Sequence, residues 1–173
     1  MACRLQFEDW IPVPVPPVFA FFANPENLPR LMPPVTETKV DGLHLVVPPL
    51  PPPQDQDSIS IHHLAGAGSI IETSFRPLRF LPWRRKWTAA ITEFEWNQHF
   101  ADIQQKGPFK RWHHRHEFVA DCRDGLDGTL VRDVVEYEIG FGPLGALANS
   151  LFVERQLRST FAHRQKALSG LFF

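Results

Sequence analysis

Cysteine is scarce: Cys3 and Cys122 are the only two in 173 residues. They have no CxxC spacing and no further partners, so neither a disulfide framework nor a cysteine zinc site is expected. Two ordinary thiols fit a cytoplasmic protein. An excess of either charge is also missing, with 18 Lys+Arg against 19 Asp+Glu. That excludes the basic balance of a general nucleic-acid binder. The local cluster Arg84-Arg85-Lys86 is short and reads as a solvated strand entry rather than a phosphate site. No apolar run approaches the roughly 18 residues that span a bilayer. Met1-Ala2-Cys3-Arg4-Leu5 leads straight into alternating residues, without the apolar stretch of a signal peptide.

What is present suffices for a core. The chain is 43% hydrophobic and 12% aromatic, and a chain of this length buries roughly two-thirds of its unfolded surface. Length alone predicts one domain over residues 1–173.

Residues Cys3 to Trp10 alternate, with Cys3, Leu5, Phe7 and Asp9 on one face, as a half-buried strand does. Pro12, Pro14, Pro16 and Pro17 stop that strand, because proline brings no N–H to a ladder. Pro16-Pro17 open a short apolar helix to Ala23, and Asn24 is placed to cap a second one over Leu28 to Met32. Val35 to Val47 reads as a second strand. Pro48 to Asp57, with prolines at 48, 49, 51, 52 and 53, reads as an exposed polyproline-like loop. Ile59 to Leu64 reads as a short strand. Further strands are expected at Ser69–Arg76, Arg85–Glu95, His99–Lys106, Arg111–Asp121 and Thr129–Phe141, joined by turns at Asn97, Gly107-Pro108 and Asp124 to Gly128. Ala146 to Leu168 carries Leu147, Leu151, Val153, Leu157, Phe161 and Leu168 at helical spacing. Glu154, Arg155, Arg158, Arg164 and Lys166 are assigned to its other sides.

A strand, two short helices, an antiparallel meander and one long helix describe an α+β layer fold. The sheet has one apolar face and a single long helix to cover it. A curved sheet wrapped round the C-terminal helix, a helix-grip arrangement, meets that need and leaves space for an internal pocket.

The run from Phe100-Ala101-Asp102-Ile103 through Gly107-Pro108-Phe109-Lys110-Arg111-Trp112 to His116-Glu117-Phe118 resembles a signature of the SRPBCC (START/Bet v 1-like) superfamily. More narrowly it resembles the bacterial subgroup labelled polyketide cyclase-like or "cell division inhibitor". Gly128 to Tyr137, Arg155 to Arg164 and the double short helix from Trp10 to Met32 fit the same subgroup, so the resemblance spans nearly the whole chain. It implies a helix-grip fold and a hydrophobic small-molecule ligand, lipid- or polyketide-like. Some members catalyse cyclisation or dehydration, so fold alone does not name an activity. The proline-rich segment departs from the short turn usual in relatives.

Periodicity adds a polar set. Side chains alternate across a strand, which turns Trp112, His114, His116 and Phe118 inward and Arg111, His113, Arg115 and Glu117 outward. The last strand then points Thr129, Val131, Asp133, Val135, Tyr137 and Ile139 inward. If Phe100 faces in, Asp102 and Gln104 do too. If Ile103 faces in, they do not. The first arrangement is favoured. Buried ionisable groups need partners, and a hydrogen bond from His114 or His116 to Asp133 is the expected pairing, with the Tyr137 hydroxyl as a further donor.

Three roles stay open for this set: a satisfied network that fixes register, a surface that orients a ligand, or an acid–base pair. Asp102, Gln104, Trp112, His114, His116, Asp133 and Tyr137 are the candidate ligand-binding residues, with His116, Asp133 and Tyr137 the candidates if a reaction is catalysed. No metal and no cofactor is expected. Two histidines at most share a site, with Asp133 the available third ligand, short of what a catalytic zinc site needs without it. The expected partner is a hydrophobic small molecule, with no nucleic acid and no membrane insertion. A cyclase or dehydratase and a protein-interaction module are the alternatives. The terminal Phe172-Phe173 has three open roles: capping the cavity, folding back on the sheet, or association.

Overall fold

The computed structural model describes residues 2–77, 83–140 and 152–172. Seven antiparallel strands form one sheet in the order β1-β7-β6-β5-β4-β3-β2. They are β1 (Ala2–Ile11), β2 (Lys39–His44), β3 (Ile70–Phe75), β4 (Arg85–Glu95), β5 (His99–Lys106), β6 (Arg111–Arg123) and β7 (Leu126–Glu138). Two short helices, α1 (Val15–Ala23) and α2 (Leu28–Leu31), follow β1, and α3 (Glu154–Phe172) lies near the C-terminal end. This is the α+β helix-grip fold expected from the order of elements.

Local chemistry explains the element ends. Prolines occupy the first turn of α1, where their missing N–H costs nothing. The Asn24 side chain accepts a hydrogen bond from the Glu26 N–H at 3.0 Å, capping the turn that leads into α2. Asp124 and Gly125 both have positive φ, 51° and 78°, as a two-residue type I′ hairpin turn requires. β7 therefore resumes at Leu126 rather than Thr129, and Gly128 lies within the strand.

Four expectations about the elements are corrected. The second strand is shorter than Val35 to Val47: Pro34–Thr36 is a 3-10 turn, and Glu37 takes a left-handed φ of 44° before pairing begins at Lys39. Ile59 to Leu64 is not a strand. Its backbone closes local turns, Ile59 N–H to Asp55 O and Leu64 N–H to Ile61 O, and the Ile59 side chain packs on the core instead. The proline-rich segment is not freely exposed. Pro48, Pro51 and Asp55 are buried, Trp96 Nε1 donates to Pro49 O at 2.9 Å, and Asn97 Nδ2 donates to Asp55 Oδ2 at 2.8 Å. The last helix runs on to Phe172, whose ring meets Phe21 edge-on at 5.1 Å. The expected helical positions 146–151, with Leu147 and Leu151, lie outside the described residues, as do Phe141 and Phe173.

Two apolar clusters hold the concave side. One gathers Ile11, Val18, Phe19, Phe100, Phe118, Val131 and Leu168. The other gathers Leu5, Trp112, Val135, Tyr137 and Phe161. Both join strands to α3, and Phe161 stacks on Phe7 at 4.1 Å.

Candidate functional site

Between the concave sheet, α1–α2 and α3 lies a cavity of about 430 Å³. Its apolar wall comes from every layer: Phe22 of α1, Leu31 of α2, Ile71 of β3, Trp87 of β4, Leu157 and Phe161 of α3. Polar groups gather on β5, β6 and α3, where Asp102, His114, His116 and Arg164 reach the wall.

The ladder creates this gathering. Asp133 pairs with His116 across β6–β7, and His114 pairs with Asp102 across β5–β6. On one face of an antiparallel pair, opposite and diagonal neighbours are within side-chain reach. Accordingly His114 Nε2 lies 3.0 Å and His116 Nδ1 2.6 Å from the same oxygen, Asp133 Oδ1. His114 Nδ1 faces Asp102 Oδ2 at 3.6 Å. The two imidazoles sit 4.0 Å apart, centroid to centroid. Asp133 is 1% exposed and lies behind the histidines rather than on the cavity wall.

Arg164 completes the network, and sequence reasoning missed it. It is 8% exposed, with Nη2 at 3.3 Å from both Asp133 Oδ1 and His116 Nδ1. Its guanidinium lies over the Phe22 ring at 4.6 Å, a cation–π contact. The signal was present in the spacing: Leu157, Phe161, Arg164 and Leu168 repeat at four, three and four residues on one helical stripe. Arginine's charge class had assigned it to another side.

The other candidates lie as follows. Trp112 is on the wall beside Trp87, edge-on at 5.0 Å. Asp102 faces inward together with Phe100, and register shifts between β4 and β5 accommodate this. Gln104 instead spans its own turn, donating from Nε2 to Phe109 O at 2.7 Å and accepting from the Phe109 N–H at 3.2 Å. Tyr137 is inward and 1% exposed, but it packs in the cluster with Trp112 and Phe109 away from the cavity lining.

Burial and charge set the protonation states. Burial works to raise the Asp133 carboxyl, but Arg164, then His116 and His114, override it and hold it well below the usual carboxylate range. Burial pushes the His116 imidazole down to about 3, and neighbouring His114 adds to the effect. Burial raises the Asp102 carboxyl, against His114 and the Trp112 indole N–H, which is near it without a well-formed hydrogen bond. The site thus presents a neutral imidazole, backed by a carboxylate locked to a guanidinium. Asp133 Oδ2 and Arg164 Nε are buried and have no hydrogen-bond partner among the described residues.

Asp102, His114 and His116 each place one potential ligand atom within 4.8 Å of the others. Asp102, not Asp133, is the third member, because the β5–β6 register sets it beside His114.

Comparison with known proteins agrees with this architecture. No curated protein sequence matches the chain. Among solved structures, Ara h 8.0201 superposes with a TM-score of 0.62 at 14% identity, over 99% of this chain and 98% of that one. A START superfamily protein from Mycobacterium smegmatis superposes at 0.61 and 14%, over 98% and 96%. Norcoclaurine synthase from Thalictrum flavum, solved with dopamine and hydroxybenzaldehyde, superposes at 0.61 and 13%, over 99% and 86%. These likenesses establish the START/Bet v 1-like fold. The family model described as "Polyketide cyclase / dehydrase and lipid transport" matches residues 11–166, and the chain belongs to that family.

Proposed function

We propose that this protein binds a hydrophobic small molecule, lipid- or polyketide-like, that carries at least one polar group. The supporting observation is the cavity itself. Its volume of about 430 Å³ falls in the range of small-molecule sites, and its lining is mostly apolar with a few convergent polar groups. The apolar body packs against Ile71, Trp87, Leu157 and Phe161, and the polar group meets His114, His116 and Arg164. Purified protein is expected to carry a stoichiometric apolar compound, seen by native mass spectrometry and recovered from a separate organic extract, or to take up a fluorescent apolar probe. Protein that carries no such compound and leaves the probe dark would refute the reading.

A second reading, a cyclase or dehydratase, is favoured by one observation. His116 is a neutral imidazole on the cavity wall, its Nδ1 2.6 Å from the ionised Asp133 carboxylate. An imidazole so placed can exchange a proton with a bound ketone only once a bound ligand raises its basicity, because a group titrating at about 3 is a weak base. Turnover of a candidate polyketone that is unchanged in both His116→Gln and Asp133→Asn removes this reading and leaves binding intact.

A further inference from the structure

We infer that Asp102, His114 and His116 form a binding site for a divalent transition-metal ion, held from behind by Asp133. The inference does not depend on which organic molecule the cavity takes.

The first argument is the orientation of the histidines. Asp133 contacts Nε2 of His114 at 3.0 Å and Nδ1 of His116 at 2.6 Å. Paired with Arg164 at 3.3 Å, the Asp133 carboxylate only accepts. It accepts a hydrogen bond from His114 Nε2 and so turns that ring's Nδ1 toward Asp102, while His116 Nδ1 meets both the carboxylate and the Arg164 Nη2 donor. Metal-bound imidazoles are held in this way, each donating its second N–H to a carboxylate or carbonyl that sets the tautomer and the ring angle. Here Asp133 plays that part for His114 and touches His116 Nδ1 at 2.6 Å.

The second argument is the facing pair of Asp102 and His114. His114 Nδ1 faces Asp102 Oδ2, 3.6 Å away. Among the described residues His114 is the one charged-type contact of Asp102. Arg164 reaches Asp133 and leaves Asp102 to His114. A cation between Asp102 and His114 can take one ligand atom from each.

The third argument is fit. Nitrogen and oxygen ligands lie about 2.0–2.2 Å from zinc, which puts two tetrahedral donors about 3.4 Å apart. The Asp102–His114 pair is already close to that spacing. His116 offers its ligand atom within the 4.8 Å envelope of the set. Two imidazoles and one carboxylate suit Zn²⁺, Co²⁺ or Fe²⁺ rather than Mg²⁺ or Ca²⁺. Three protein ligands leave a coordination position open, and all three side chains line the cavity. A metal here can accept an oxygen of the cavity's ligand.

The test uses the full chain, stripped with a chelator and titrated with Co²⁺ while visible d–d absorption is followed. Zn²⁺ is then added to displace the colour. One Co²⁺ per chain is expected, with the absorption of a four- or five-coordinate nitrogen–oxygen site. Asp102→Asn and His116→Gln are each expected to weaken binding at least tenfold. Asp133→Asn is expected to weaken it less and to change the spectrum. The exposed neighbours His62 and His63 supply the control, and the double variant H62Q/H63Q should bind as the parent does. Circular dichroism checks that each variant is folded. Should D102N prove unfolded, His114→Gln replaces it. Absence of stoichiometric Co²⁺ uptake overturns the inference. So does uptake that survives both ligand substitutions or that disappears with His62 and His63. Apolar-probe binding without Co²⁺ uptake removes the metal site alone, and the reverse result removes the hydrophobic ligand alone.

Discussion

Arg164 of α3 lies with Nη2 3.3 Å from Oδ1 of Asp133 of β7, both side chains buried. This pair ties the long helix to the sheet at the same place where the two histidines are held. It couples the stability of the fold to the integrity of the polar site.

Truncating Arg164 to methionine keeps the apolar stem and leaves Asp133 without its cation. Breaking a buried pair in this way costs about 3–5 kcal/mol. Urea denaturation should show a lower midpoint for R164M. Adding Asp133→Asn in the same chain should recover part of the loss, because the stranded charge is then removed. Equal or additive losses in the double variant would contradict the coupling.

Ile71 of β3 is on the cavity wall and only partly buried. Replacing it with tryptophan extends a ring into open space rather than into packed atoms. The I71W variant should keep its melting temperature within a few degrees and bind an apolar fluorescent probe at least tenfold more weakly. Undiminished binding would place the probe elsewhere.

Asp9 offers a pH-dependent readout away from the histidines. Burial, reinforced by the charge of Asp133 and opposed by Arg164, raises its carboxyl from 3.8 to about 6. A raised folded-state value means that the folded chain binds the proton more tightly than the unfolded chain. The resulting stabilisation is complete below about pH 4 and is lost as pH rises through 6. Asp9→Asn should therefore gain about 1–2 kcal/mol over the parent at pH 7.5, after discounting for partial exposure. The gain should vanish near pH 4. Urea titrations across that range measure it, and a pH-independent difference would refute the assignment.

Gly128 sits where β7 passes under Trp10. A Cβ built there lies 2.5 Å from Ile11 O and 2.7 Å from the Trp10 ring. Backbone cannot yield as a flexible side chain can, so Gly128→Ala should cost about 1–3 kcal/mol. The drop in thermal midpoint is expected even though alanine favours a strand no less than glycine does.

Much of the fold was legible in the sequence because strands with one wet face advertise their period. β4 and β5 run between the bounds expected from the turns at Asn97 and Gly107-Pro108, Arg85 to Glu95 and His99 to Lys106, although alternation does not settle the faces of β4. The inward set of β6 and β7 also follows from period two, and with it the meeting of His114, His116 and Asp133. What was not legible depended on contacts distant in sequence. The Ile59 to Leu64 stretch has β-like residues, but its backbone bonds close within it and toward Asp55. Gln104 has the inward parity yet turns to close its own hairpin. Arg164 was read by its charge, although its position on the Leu157–Phe161–Leu168 stripe already marked it as interior. The pairing of Asp102 with His114 needed the β5–β6 register, which no single strand carries.

His114, His116 and Asp133 all belong to one hairpin, closed by the tight turn at Asp124-Gly125 and paired without a break from Arg111↔Glu138 to Arg123↔Leu126. Hairpins of this kind form through local contacts, whereas β1 reaches β7 across more than a hundred intervening residues and pays a larger loop-closure entropy. The relative placement of His114, His116 and Asp133 is therefore set within a segment of fewer than thirty residues. A slip of one residue in that ladder puts His114 and His116 on the opposite face from Asp133. An inserted or deleted residue at the Asp124-Gly125 turn should thus abolish the site as a unit, while substitutions in the distant proline-rich strap leave it whole.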